Sequence, residues 1–258
     1  MTFTEAQLIE AISAWFFTFV RVGAVLTAGP VFSASSVPAR FRVLLALAIT
    51  LLVEPLLPRA EPVDPLSTAA LLVLAQQLAI GFAIGTVLQL AFNALVFGGQ
   101  MVAYSMGLGF AHLMDPQNGV QVPTVSQFYL VFATIIFLGV DGHLRLVALL
   151  VESFEALPVS AEGIGRAELW DVAGWGAMLF ADGLLLSLPI VSALLLVNIG
   201  MGMVSRAAPQ LNIFSVGFPV TLGLGFVLLW LTLPQALRLF TDWVEVLFGL
   251  AGGLIAGA

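Results

Sequence analysis

Four charged side chains stand inside or beside apolar runs: Arg21, Glu54, Asp141 and Asp182. A lone charge in hydrocarbon is expensive, so such groups pair, face water, or mark a route for protons or ions. Two readings follow. The acids form a relay, or they and Arg21 make packing contacts between helices, between subunits or near helix ends, which is the commoner use. A secondary transporter usually shows matched broken helices in repeated halves, and no such symmetry is visible. The two histidines, His112 and His143, are too far apart for a metal motif, and there is no cysteine. That excludes disulfides, iron–sulfur clusters and thiol catalysis. Neither Gly-x-Ser-x-Gly nor a phosphate-binding loop occurs. The sequence therefore points to no enzyme, no metal and no cofactor.

Other side chains suggest a lining rather than a reaction. Gln89, Asn93, Gln100 and Tyr104 fall within about 60° of one another on a helix. Such a polar stripe lines a water-filled pore or hydrogen-bonds neighbouring helices. A break at Gly98-Gly99 would spoil its register. Gly81 with Gly85, and Gly249 with Gly253, form Gly-x-x-x-Gly pairs that let backbones approach. Met106-Gly-Leu-Gly-Phe-Ala-His-Leu-Met-Asp-Pro116 is apolar, glycine-hinged and closed by a turn signal at Asp115-Pro116. Irregular backbone at membrane depth survives only inside protein or beside a water cavity. A plug and an ordinary helix connection are both compatible with that stretch.

The elements that must position these residues are apolar helices. Of 258 residues, 60% are hydrophobic and 9% charged, against roughly 25% charged in soluble domains. Eight basic and 15 acidic side chains are too few to cover a soluble protein of this size, so the chain reads as a multi-pass membrane protein. All eight basic residues are arginine, and the net charge of -7 excludes a nucleic-acid partner. Glu5 and Glu10 precede the first apolar run, unlike the basic start of a signal peptide, so that run is expected to be retained.

Apolar runs cover 11–32, closed by Gly29-Pro30, then 43–57 after a polar hinge, then an uncharged 66–114 with expected breaks at Gly98-Gly99, Gly107 and Gly109. Residues 58–65 are a proline-rich connector, and 115–123 a loop. A run over 125–140 ends at Asp141-Gly142-His143 and resumes to Phe154. Residues 157–171 read as a solvent loop. The run 172–205 carries Asp182 and Pro189, a turn is expected over 206–209, and 211–237 is broken by Pro219 and Pro234 before an apolar tail from Trp243. The expectation is a single all-α unit over 1–258 with six to eight helical segments, bent at glycines and prolines.

The segment Ser205-Arg-Ala-Ala-Pro-Gln-Leu-Asn-Ile-Phe-Ser-Val-Gly-Phe-Pro219 resembles the signature of the flagellar biosynthetic protein FliR family, relatives of an export-gate subunit of virulence type III secretion. Arg21-Val22, Ala28-Gly-Pro30, Val37-Pro-Ala-Arg40, Gln76-Gln-Leu-Ala-Ile-Gly81, Gly85, Met106-Gly-Leu-Gly-Phe110, Asp115-Pro116, Asp141-Gly-His-Leu144 and Leu157-Pro158 agree in order. The resemblance implies a structural channel subunit in a helical hetero-oligomeric export gate of the bacterial inner membrane, in the flagellar basal body. It implies FliP-type and FliQ-type subunits and FlhB as partners, and unfolded flagellar proteins as cargo. The loop at about 106–122 becomes a plug, with Gly107 and Gly109 as hinges and Phe110, Leu113 and Met114 as its apolar body. Arg206, Pro209 and Gln210 become turn or subunit-contact residues. The alternative from the residues alone is a small-molecule or ion transporter using Glu54, Asp141 and Asp182; a membrane enzyme stands third.

Overall fold

The computed structural model describes residues 5–57, 63, 67–109, 124–207 and 213–257. Seven α-helices occur in the described residues: α1 Glu5–Ala28, α2 Ala39–Val53, α3 Thr68–Ser105, α4 Thr124–Gly139, α5 Gly142–Ala156, α6 Arg166–Ala207 and α7 Ile213–Ala256. A single 3-10 turn, Glu54–Leu56, follows α2, and the described residues contain no strand. The all-α expectation holds.

Three expected breaks do not occur. The helix α3 runs through Gly98-Gly99, because those glycines serve close packing rather than a turn. Pro219 and Pro234 both lie inside α7, and Pro189 inside α6. A proline removes one N–H and crowds the preceding turn, which bends a long helix without ending it when packing holds both sides. The loop expected to reach Asp171 ends sooner, since α6 begins at Arg166. There the Glu168 carboxylate accepts the Gly165 N–H at 2.9 Å and serves one of the free donors of the helix start. The expected break after Val140 is present: Asp141, at φ 57, separates α4 from α5.

Two compact units share the helices. The first comprises residues 1–90, 138–176 and 244–258. Its core holds Val22, Val25, Leu26, Ile80, Ile84, Leu146, Leu150 and Phe154. A Cβ built on Gly81 would lie 2.7 Å from the Arg21 carbonyl oxygen, and one on Gly85 would lie 2.8 Å from the Ala28 Cβ. The first Gly-x-x-x-Gly pair is thus the contact of α3 with α1. The second has another fate: among the described residues no neighbouring helix comes within 4 Å of a Cβ at Gly249 or Gly253. The short α2 buries only Ala46, Thr50 and Val53 and leaves Phe41, Leu44, Leu51 and Leu52 exposed.

The second unit comprises residues 91–137 and 177–243. Gly98 receives α6: its Cβ would sit 2.8 Å from the Gly183 carbonyl oxygen. Gly99 receives α4, 2.8 Å from Ser126 Cα. Adjacent glycines point about 100° apart on a helix, so one pair admits two neighbours. Beside them Phe92 meets Phe137 and Phe240 edge to face, with centroids 5.5 and 5.1 Å apart.

Three helices are long and apolar enough to cross a membrane, α3, α6 and α7, and the broken pair α4–α5 raises the count to as many as four. With 38, 42 and 44 residues, they extend about 57–66 Å at 1.5 Å per residue. A bilayer core is about 30 Å thick. Half of the most apolar stretch of α3 is buried, against 22% for α6 and α7. Leu185, Leu195, Leu196 and Met203 on α6, and Phe226, Val227, Trp230 and Leu231 on α7, are exposed.

Replacement of Gly85 by Ala tests the glycine contacts. It forces α1 from α3 and should destabilise the protein by roughly 1–3 kcal/mol. Gly223→Ala, inside α7 where no described neighbour lies within 4 Å, should instead stabilise by up to about 1 kcal/mol through helix propensity. Thermal unfolding in detergent compares the two.

Candidate functional site

Arg21 lies two turns before the end of α1 with no exposed surface. Its Nε donates to Gln77 Oε1 at 2.7 Å. Nη1 donates to the Ser153 carbonyl oxygen at 2.7 Å and reaches Ser153 Oγ at 3.3 Å. Nη2 donates to the Leu157 carbonyl oxygen at 2.8 Å. The guanidinium carbon stands 4.1 Å over the Phe154 ring, whose face attracts a cation. All these partners are neutral. The charge is matched instead by position, because Leu157 caps α5 and the carbonyls at a helix C-terminus carry a partial negative charge. One rigid fork so ties α1 to α3 and to the end of α5. A guanidinium does not deprotonate, and this one has no acid among its described partners, so Arg21 is a packing group rather than a relay member.

The three acids lie on different elements. Glu54 is half-buried in the 3-10 turn, Asp141 is exposed at the α4–α5 break, and Asp182 is half-buried on α6. Among the described residues no group of three or more acids and histidines is placed to hold a metal ion. Arg145 pairs with Glu245 at 2.9 Å and lies 4.4 Å over the Phe248 ring, an exposed contact between α5 and α7.

The polar stripe stands on an unbroken helix. Gln89, Asn93 and Gln100 are half-buried and Tyr104 is exposed on α3. One turn beyond Gln100 the helix stops in a defined way. The Gly107 N–H donates to the Tyr104 carbonyl and the Leu108 N–H to the Ala103 carbonyl, both at 3.0 Å, with Gly107 at φ 85. This is the paired-bond stop that takes glycine in the left-handed region. Gly109 packs under Tyr104, whose Cδ1 would lie 2.8 Å from an added Cβ.

The residue just before that stop is anchored. Met106 has no exposed surface. A Cβ on Gly225 would lie 2.5 Å from Met106 Cγ, 2.7 Å from Cε and 2.8 Å from Sδ. The Thr221 hydroxyl lies 3.1 Å from the Phe218 carbonyl oxygen and 3.4 Å from that of Met106. The Phe218 ring would touch a Cβ on Gly107 at 3.1 Å. Phe218, Thr221 and Gly225 recur at helical spacing on one face of α7. That spacing puts the three residues on one face, but it does not by itself name Met106 as the partner.

Phe110, Leu113 and Met114 lie outside the described residues, as do Pro209 and Gln210. Arg206 lies in the last turn of α6, with its side chain exposed, where a cation suits the helix end.

The family model for bacterial export proteins, family 1, matches residues 12–247. A flagellar biosynthetic protein FliR from Pectobacterium carotovorum subsp. carotovorum is 39% identical over 257 residues, covering 99% of this chain and 96% of that protein. The FliR protein of Escherichia coli strain K12 is 35% identical over 253 residues, covering 98% and 95%. That of Bacillus subtilis strain 168 is 26% identical over 227 residues, covering 86% and 87%.

Arg21→Leu should lower stability by about 3–5 kcal/mol, because it leaves buried carbonyls and the Gln77 amide without a donor. Arg21→Lys should be intermediate, since one ammonium cannot reproduce the fork. Steady-state accumulation in the membrane and thermal unfolding in detergent should both rank arginine above lysine above leucine. Equal stability of all three would show that the fork is not holding the helices.

Proposed function

The chain belongs to the bacterial export proteins, family 1, and on that premise we propose that it helps form and close the conduit through which unfolded flagellar proteins leave the cell. It is a membrane protein of the flagellar export apparatus, and a structural subunit rather than an enzyme. In the proposed arrangement one copy joins FliP-type and FliQ-type subunits in the inner membrane, and FlhB associates with them. Energy comes from elsewhere in the machine, because the chain has no phosphate-binding loop.

The observation that carries this reading is the apolar surface. Helices about twice as long as the bilayer core is thick leave apolar side chains that lipid alone does not cover. Sister subunits are the natural cover. The α3 stripe supplies polar side chains for a lining, with Tyr104 its most exposed member. The stretch at about 106–122 closes the conduit: Phe110, Leu113 and Met114 fill it, and Gly107 and Gly109 set the exit of the chain from α3. Arg206, Pro209 and Gln210 form a subunit contact, the first of them through its exposed side chain. The whole chain, 1–258, acts as one functional domain. The transporter alternative needs Glu54, Asp141 and Asp182 to cooperate, and coupled proton uptake by the chain alone in liposomes would favour it.

Affinity purification of the tagged chain in mild detergent should recover FliP-type and FliQ-type proteins by mass spectrometry. Recovery of the chain alone, as a monodisperse monomer, would contradict the assembly. Deletion of 110–114 should leave assembly intact and make the membrane leak ions. Unchanged permeability in assembled complexes would remove the plug from the proposal. Arg206→Ala should lower the yield of complex.

A further inference from the structure

The end of α3 changes character within two residues. Met106 is fully buried, whereas Gly107, Leu108 and Gly109 are only half-buried. The Met106 side chain occupies space that even a methyl group on Gly225 would claim, at three of its atoms. Its carbonyl faces the Thr221 hydroxyl at 3.4 Å, and the two hydrogen bonds at Gly107 and Leu108 close the helix end. A thioether is soft enough to fill such a notch completely, and a glycine on α7 is what makes the notch. Gly107, at φ 85, then turns the chain off the helix axis in a conformation that glycine adopts without the steric penalty other residues meet. Tight seat, helix stop and glycine turn follow in order.

We propose that the Met106 seat on α7 is the fixed joint of the gate: it stays engaged during export, and its packing against Gly225 determines how tightly the conduit is sealed at rest. The inference rests on the reading that the stretch following the joint closes the conduit. Met106 and Gly225 act as positioning residues and touch no cargo. A methyl on Gly225 displaces Met106, shifts the point where the chain leaves α3, and loosens the seal without altering any residue of the plug. Trimming Met106 at the same time makes room for that methyl and restores the seal.

The test uses the complete apparatus in the bacterial membrane, with assembled complex quantified in every strain. Gly225→Ala should raise ion permeability several-fold at normal assembly, and Met106→Ala/Gly225→Ala should bring it back near the wild-type level. Should Gly225→Ala reduce assembly, Thr221→Val keeps the side-chain shape, removes the hydroxyl that faces the Met106 carbonyl, and should also raise permeability. The natural chain has no cysteine, so Met106→Cys/Gly225→Cys supplies a unique thiol pair; export should continue after oxidation closes that bridge. Tight membranes with assembled Gly225→Ala, a leak that the double alanine variant does not reverse, or export stopped by the bridge and restored by a reductant would each overturn the joint. A leak on deletion of 110–114 together with a tight Gly225→Ala strain sinks the joint alone. A tight deletion strain sinks the plug reading and the joint with it.

Discussion

Long apolar helices that leave much of their surface uncovered by the chain itself are the constraint under which this chain is built. Three helices extend about 57–66 Å, and only 9% of the residues are charged. A helix satisfies its own backbone, so it can be long and apolar at little polar cost. Its side chains still need neighbours. Inside the chain α3 finds them on many sides, through glycines that admit α1, α4 and α6. The helices α6 and α7 leave most of their most apolar stretches uncovered. An isolated copy would expose that surface to water or force a bilayer to deform around it. A subunit of a larger assembly covers it with protein.

Polar groups inside such a chain must be answered locally, and helix ends supply the answer. Arg21 is held by the last carbonyls of α5 and by one glutamine, without a counter-ion among its described partners. The carbonyl of Met106 meets a threonine of α7. In both cases carbonyls at a helix end become a docking point for another helix. That is an economical use of groups every helix possesses, and it lets an apolar chain be specific about which helices meet where.

Much of this was legible in the residues. Composition and run length identified the helices, Gly29-Pro30 closed the first, and Asp141-Gly142 divided α4 from α5. Gly81 and Gly85 announced close packing. The errors share one cause. Gly98-Gly99, Pro219 and Pro234 look like breakers when only local preference is weighed, but the helices continue: α4 and α6 press on the glycine pair, and α7 runs through both of its prolines. Gly249 and Gly253 carry the same motif as Gly81 and Gly85, yet among the described residues an added Cβ there would meet no neighbouring helix, because spacing alone does not say which neighbour arrives. The acceptors of Arg21 were not legible, since two are backbone carbonyls more than 130 positions away. Nor was the seat of Met106, which needs α3 and α7 to be aligned first.

The claim that protein rather than lipid covers the outer helices can be read directly. A photoreactive amino acid placed at Leu185 or Leu196 of α6, or at Trp230 of α7, all exposed in the chain, reports its neighbours in living cells. The account predicts adducts to other proteins of the export apparatus at these positions. Adducts to lipid alone, at all three, would contradict it.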